Sequence, residues 1–227
     1  MRWKYLVLVL AIAFGPFVPQ NADAQRSRRQ VDTKARYLIY LHGRWLEHSS
    51  VDTVNRHFGR RYDYGAILGA FRAAGYRVIS EIRSPVRAPR YARQVAGRVR
   101  GLIGAGVPPG NITVAGFSKG GVIALVSATM IRHARVNYVV MAGCGKPGSR
   151  PGANLDRFGA RRGANMRGRV LSIYDRSDRR FGSCRRLISG QPGLRFRELV
   201  LNTREGHGLF YRAAPVWVGP ATRWGRR

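Results

Sequence analysis

Short runs of consecutive apolar residues alternate along the chain with longer stretches in which apolar positions recur every three or four residues. Tyr37–Leu41, Asn111–Ala115, Asn137–Ala142 and Val170–Tyr174 are such runs, and with the β-branched Tyr76–Ile82 and the mixed Arg195–Asn202 each predicts a strand. Tyr64–Ala74 predicts a helix with Ile67, Leu68 and Phe71 on one face and Gly75 as its stop. Tyr91–Ala105 carries Val95, Val99, Leu102 and Ile103 on one helical face, and Lys119–His133 is a long apolar helix. Ala213–Trp224 is a weaker helical pattern, and Gly145–Gly168, rich in Gly, Arg and Pro, has room for a short helix in its middle. Strands apolar at nearly every position are buried on both faces, as parallel strands under helices are. The pattern predicts a three-layer α/β/α sandwich around a mostly parallel sheet of about six strands. No internal repeat or domain boundary interrupts residues 37–227.

The N-terminus departs from this pattern. Arg2 and Lys4 precede the apolar run Tyr5–Phe14, Pro16 and Pro19 break it, and Ala22-Asp23-Ala24 offers a small-residue cleavage site. The run is far shorter than the roughly 20 residues a spanning helix requires. Residues 1–24 are therefore expected to be a cleaved signal peptide, residues 25–36 a disordered basic lead-in, and residues 37–227 a single secreted or periplasmic domain with no membrane span. Composition adds a large charge: 41 Lys+Arg against 11 Asp+Glu give a net +30, and only Lys4, Lys34, Lys119 and Lys146 are lysines. Losing the signal removes two basic residues and one acidic one, which lowers the net charge only to +29. Such a charge suits a binder of anionic polymer. The arginines are spread from end to end, however, with no nucleic-acid module among them, so no specific nucleic-acid partner is expected. In an oxidising compartment the two cysteines, Cys144 and Cys184, are expected to pair, closing a loop worth roughly 4 kcal/mol of chain entropy.

Chemistry concentrates in Gly116-Phe117-Ser118-Lys119-Gly120, between a predicted strand and a predicted helix. A serine on so tight a strand-to-helix turn needs small residues two before and two after it. The turn exposes the hydroxyl at a helix N-terminus, where the Lys119 amide points at a developing oxyanion. Here the sequence resembles the α/β-hydrolase family, in the manner of small, lidless esterases and dienelactone hydrolases, from Tyr37 to about Trp217. The resemblance implies a triad in the order Ser, acid, His. Ser118 is then the nucleophile and Asp178 the acid, favoured over Asp175 because the family's acid lies a few residues beyond the strand end. His207, flanked by Gly206 and Gly208, is the base, as the one histidine after both partners. The His42-Gly43 pair after the first strand resembles the loop that gives the second oxyanion donor, here the backbone of Arg44 or, as runner-up, Trp45, with His42 shaping the loop. Strands before Tyr37 are missing from the family's eight-strand layout, so the sheet should be a reduced one. In that layout the strands before Cys144 and Cys184 are neighbours, so their disulfide would staple the loops at the catalytic edge.

The sequence thus predicts an exported serine hydrolase that cleaves a small-molecule ester or related acyl bond. Arg44, Arg176 and Arg179 would ring the pocket mouth and favour anionic substrates. Two rivals stand beside it: a non-catalytic polycationic binder on the same scaffold, and an acyltransferase using the same triad. No metal-ligand spacing, phosphate loop or dinucleotide fingerprint occurs, so no metal or cofactor is expected.

Overall fold

The structure, a computed structural model, describes residues 31–226. The expected signal peptide and the first half of the lead-in, residues 25–30, lie outside the described residues. The end of that lead-in is ordered: Ala35 closes a turn onto the Asp32 carbonyl, and the Asp32 carboxylate pairs with Arg77 at 3.1 Å.

Six strands form one sheet: β1 (Arg36–Leu41), β2 (Tyr76–Ile79), β3 (Ile112–Phe117), β4 (Asn137–Met141), β5 (Gly168–Asp175) and β6 (Leu194–Leu201). Their order is β2-β1-β3-β4-β5-β6 and every pairing is parallel, with Tyr37 opposite Ile112 and Thr113 opposite Asn137. The central strands β3 and β4 are buried at every residue, as their unbroken apolar runs require. Strand β2 ends sooner than its apolar run, because the Ser80 hydroxyl takes the Tyr40 carbonyl at 2.8 Å where a backbone amide would continue the ladder.

Helix α1 (Tyr64–Ala73) begins at Asp63, whose carboxylate accepts the Ala66 amide, and stops at Gly75, where φ is 82°. Helix α2 (Ala88–Gly104) packs on α3 (Lys119–Ile131), and α3 lies against β3 and β4. Alternation along the strands sends Leu38, Tyr40, Phe117, Met141 and Ile173 to the other face. There they meet Ile67 and Phe71 of α1 and Trp217 of α5 (Pro215–Trp224). Trp217 is fully buried between Phe71 and Phe210, and its indole N–H donates to the Arg212 carbonyl at 3.0 Å.

Gly145–Gly168 holds more order than its composition suggests. Cys144–Gly145 pairs antiparallel with Phe181–Gly182, and α4 (Arg150–Arg162) follows, with the Ser149 hydroxyl accepting the Gly152 amide. The loops leaving the carboxyl ends of β1, β3, β5 and β6 carry the candidate residues, on the edge where open α/β sheets bind ligands.

Candidate active site

Ser118 stands alone between β3 and α3 with φ 54° and ψ −117°, a left-handed backbone that a serine adopts only under constraint. Two close approaches impose it. A Cβ on Gly116 would overlap the Gly120 carbonyl, and one on Gly120 would overlap the Leu41 carbonyl. The Ser118 amide is pinned to the Met141 carbonyl of β4 at 2.8 Å. The amide of Lys119 opens α3, where helix N–H groups have no partner within the helix.

His207 and Asp178 are brought together: the imidazole Nδ1 donates to Asp178 Oδ2 at 2.6 Å, with the carboxylate side chain 3% exposed. The other oxygen, Oδ1, accepts the backbone amides of Arg180 and Phe181 at 2.9 and 3.0 Å. Burial alone would raise the Asp178 carboxyl, but the hydrogen bond and charge of His207 and the two amides outweigh it and hold the group below the ordinary carboxylate range. Asp175, the runner-up, is occupied elsewhere: Ser177 and Thr203 each give it an amide and a hydroxyl. That ties the end of β5 to the loop after β6. The His207 ring contacts Phe181 and Phe117, with centroids at 4.6 and 4.7 Å, and Phe58 stands at 5.9 Å. Phe117 directly precedes Ser118, so the imidazole and the serine share one corner; among the described residues no hydrogen bond joins them. Such contacts are often made only once substrate is bound.

On the other flank, a Cβ on Gly43 would lie 3.6 Å from that of Ser118, so the loop after β1 runs directly against the serine. Arg44–Glu47 then forms one turn of 3-10 helix, with the Arg44 amide at its start and Trp45 half-buried beside it. His42 is fully buried. Its Nε2 accepts the Arg83 amide at 2.9 Å, which leaves the proton on Nδ1, donated to the Gly43 carbonyl at 2.7 Å. Burial and the nearby Arg83 charge push its pKa down to about 4, so His42 is a neutral brace for the loop.

Sequence reasoning missed the charges beneath this loop. Glu47, its side chain 1% exposed, accepts from Arg83 Nε at 2.7 Å and from Lys119 Nζ at 2.5 Å. The carboxylate thereby joins the turn that begins at Arg44 to the residue after Ser118. A lone Glu within a polar stretch carries no signal of burial in the sequence, because only the fold supplies its partners.

Cys144 and Cys184 form the expected disulfide, with Cα atoms 5.2 Å apart. Arg44, Arg176 and Arg179 are exposed and make no ion pair among the described residues, and the same holds for Arg180 beside them and Arg204 on the loop after β6. The nearby acids are all engaged, Asp175 and Asp178 as above and Glu205 by Arg60 and Arg212. Among the described residues no group of three or more His, Cys, Asp or Glu could hold a metal ion, and no helix is long and apolar enough to cross a membrane.

No protein-family model matches the chain, and no curated protein matches it. Solved structures do. SOBER1 of Arabidopsis thaliana superposes with a TM-score of 0.57 at 12% identity, over 85% of this chain and 98% of its own. A phospholipase/carboxylesterase from Dyadobacter fermentans gives 0.56 at 13% identity, over 86% and 92%. An acetyl xylan esterase from Paenibacillus gives 0.54 at 14% identity, over 86% and 74%. What the likeness shows is the fold: a parallel six-stranded sheet with flanking helices, the α/β-hydrolase fold.

Proposed function

We propose that the protein is an exported serine hydrolase acting on ester bonds. Ser118 Oγ attacks the ester carbonyl carbon while its proton passes to His207 Nε2, and Asp178 steadies the imidazolium that forms. The tetrahedral oxyanion is held by the backbone amides of Lys119 and Arg44. Collapse expels the alcohol, which takes the proton from His207 and leaves an acyl group on Ser118. Water then repeats the sequence in reverse, releasing the acid and restoring the serine. The single observation that carries this reading is the strained Ser118 backbone at a strand–helix junction, in the same corner as the hydrogen-bonded His207–Asp178 pair. Structural neighbours described as esterases support ester bonds as the target, and the disulfide is compatible with a secreted chain. The exposed Arg44, Arg176 and Arg179, without an ion pair among the described residues, favour substrates carrying a negative charge.

The reading is tested by labelling with a fluorophosphonate on protein recovered from the exported fraction, where the chain should begin at Gln25. Wild type should label, Ser118→Ala should not, and His207→Ala should label slower by about a thousand-fold or more. A wild-type chain that stays unlabelled overturns the hydrolase reading.

A further inference from the structure

Among the described residues the His207 ring makes one hydrogen bond, from Nδ1 to Asp178. A single hydrogen bond to a carboxylate restrains the ring only softly, since both the N–H···O angle and the terminal torsion of a histidine side chain tolerate a broad range. Turning would swing Nε2 away from Ser118. Something must hold the plane, and the nearest group that can is Phe181. Its ring stacks on the imidazole, with centroids 4.6 Å apart and planes 26° from parallel, whereas Phe117, at 4.7 Å, is tilted by 43°.

Phe181 is itself held from several directions. Its amide donates to Asp178 Oδ1 at 3.0 Å, and it lies opposite Gly145 in the two-stranded ribbon. The Lys146 amide donates to the Arg180 carbonyl at 2.9 Å, and the Cys144–Cys184 disulfide closes the ribbon's far end. Residues 178–184 are thus one strap, bearing the carboxylate that binds Nδ1, the ring that covers the imidazole face, and the cysteine that ties both down.

We infer that Phe181 is a positioning residue for His207, clamped by the Cys144–Cys184 disulfide, so that the bridge sets turnover as well as stability. The inference rests on the Ser118–His207–Asp178 reading. It assigns Phe181 a role in aiming the imidazole and none in touching the substrate.

Phe181→Leu keeps apolar bulk without a flat face, whereas Phe181→Tyr keeps the face. With p-nitrophenyl acetate, Phe181→Leu should lower kcat by about ten-fold or more while KM stays within about two-fold, and Phe181→Tyr should recover most of kcat. A Leu variant with wild-type kcat, or a Tyr variant no better than Leu, overturns the inference. In a Cys144→Ala/Cys184→Ala background kcat should already be reduced, and adding Phe181→Leu should cost no more than about two-fold further. A full ten-fold further loss would remove the disulfide from the account. Ser118→Ala separates the two readings. If it keeps wild-type activity the triad itself is wrong, whereas an inactive Ser118→Ala beside a fully active Phe181→Leu removes only the role of Phe181.

Discussion

On the β1 side of Ser118, the loop from His42 to Glu47 is held by buried charge: a carboxylate between Arg83 and Lys119, and a neutral histidine between two backbone groups. On the β5–β6 side, His207 is held by stacked rings, one carboxylate and a strap closed by a disulfide. Both flanks border Ser118, yet they should fail differently. A buried charge that loses its partner penalises the whole fold, because the remaining ion stays desolvated. A half-buried ring over an imidazole contributes less to the fold and more to the geometry of a single proton transfer. The contrast predicts that damage on one flank appears first as instability, and damage on the other first as lost turnover.

The largest effect expected from breaking the ionic flank is at Glu47. Glu47→Ala strands Arg83 in the interior and should cost about 3–5 kcal/mol, measured as a lower denaturant midpoint. If it unfolds at the wild-type midpoint, the ionic flank is not structural and the contrast collapses. A smaller effect concerns His42, whose pKa of about 4 in the fold lies below the ordinary 6.5. The unfolded chain therefore binds this proton first. Stability from neutral His42 is complete above pH 6.5 and lost as pH falls toward 4, amounting to about 3 kcal/mol. His42→Asn should flatten that part of the stability–pH curve, and an unchanged slope would show that His42 does not set it. The smallest effect lies at the rim. Arg176→Ala/Arg179→Ala should reduce the preference for carboxylated over neutral esters about three-fold at low salt and scarcely at all in high salt. Equal kcat/KM ratios in wild type and variant would dismiss the anionic preference.

The two flanks also differed in how far the sequence disclosed them. Strands β1, β3 and β4 were plain from unbroken apolar runs, and the Ser118 turn was plain because close backbone approach leaves glycine as the residue that fits at 116 and 120. His207 and Asp178 stood out through chain order and the resemblance. Helix α4 was underestimated because Pro151, Gly152 and Gly159 look like breakers. Pro151 lies in the first turn, where its missing N–H costs nothing, and a Cβ on Gly152 would overlap the Lys146 carbonyl. Glu47 and Arg83 were invisible because a buried ion pair is written in two distant places and in neither as hydrophobic. Phe181 was equally silent, since a ring in a loop does not declare what it will cover.

The all-parallel sheet has a consequence for how the chain reaches this state. Tyr37 and Ile112 are partners although α1, β2 and α2 separate them in sequence, and parallel pairings of such separation form slowly. Meanwhile β3 and β4, buried along their whole length and largely apolar, are segments that would readily pair with another unfinished chain. Every such chain carries the same net positive charge, and like-charged polymers repel before their sticky segments can meet. The arginine excess acts in this way as a colloidal safeguard, most useful in the interval before the last strand is in place.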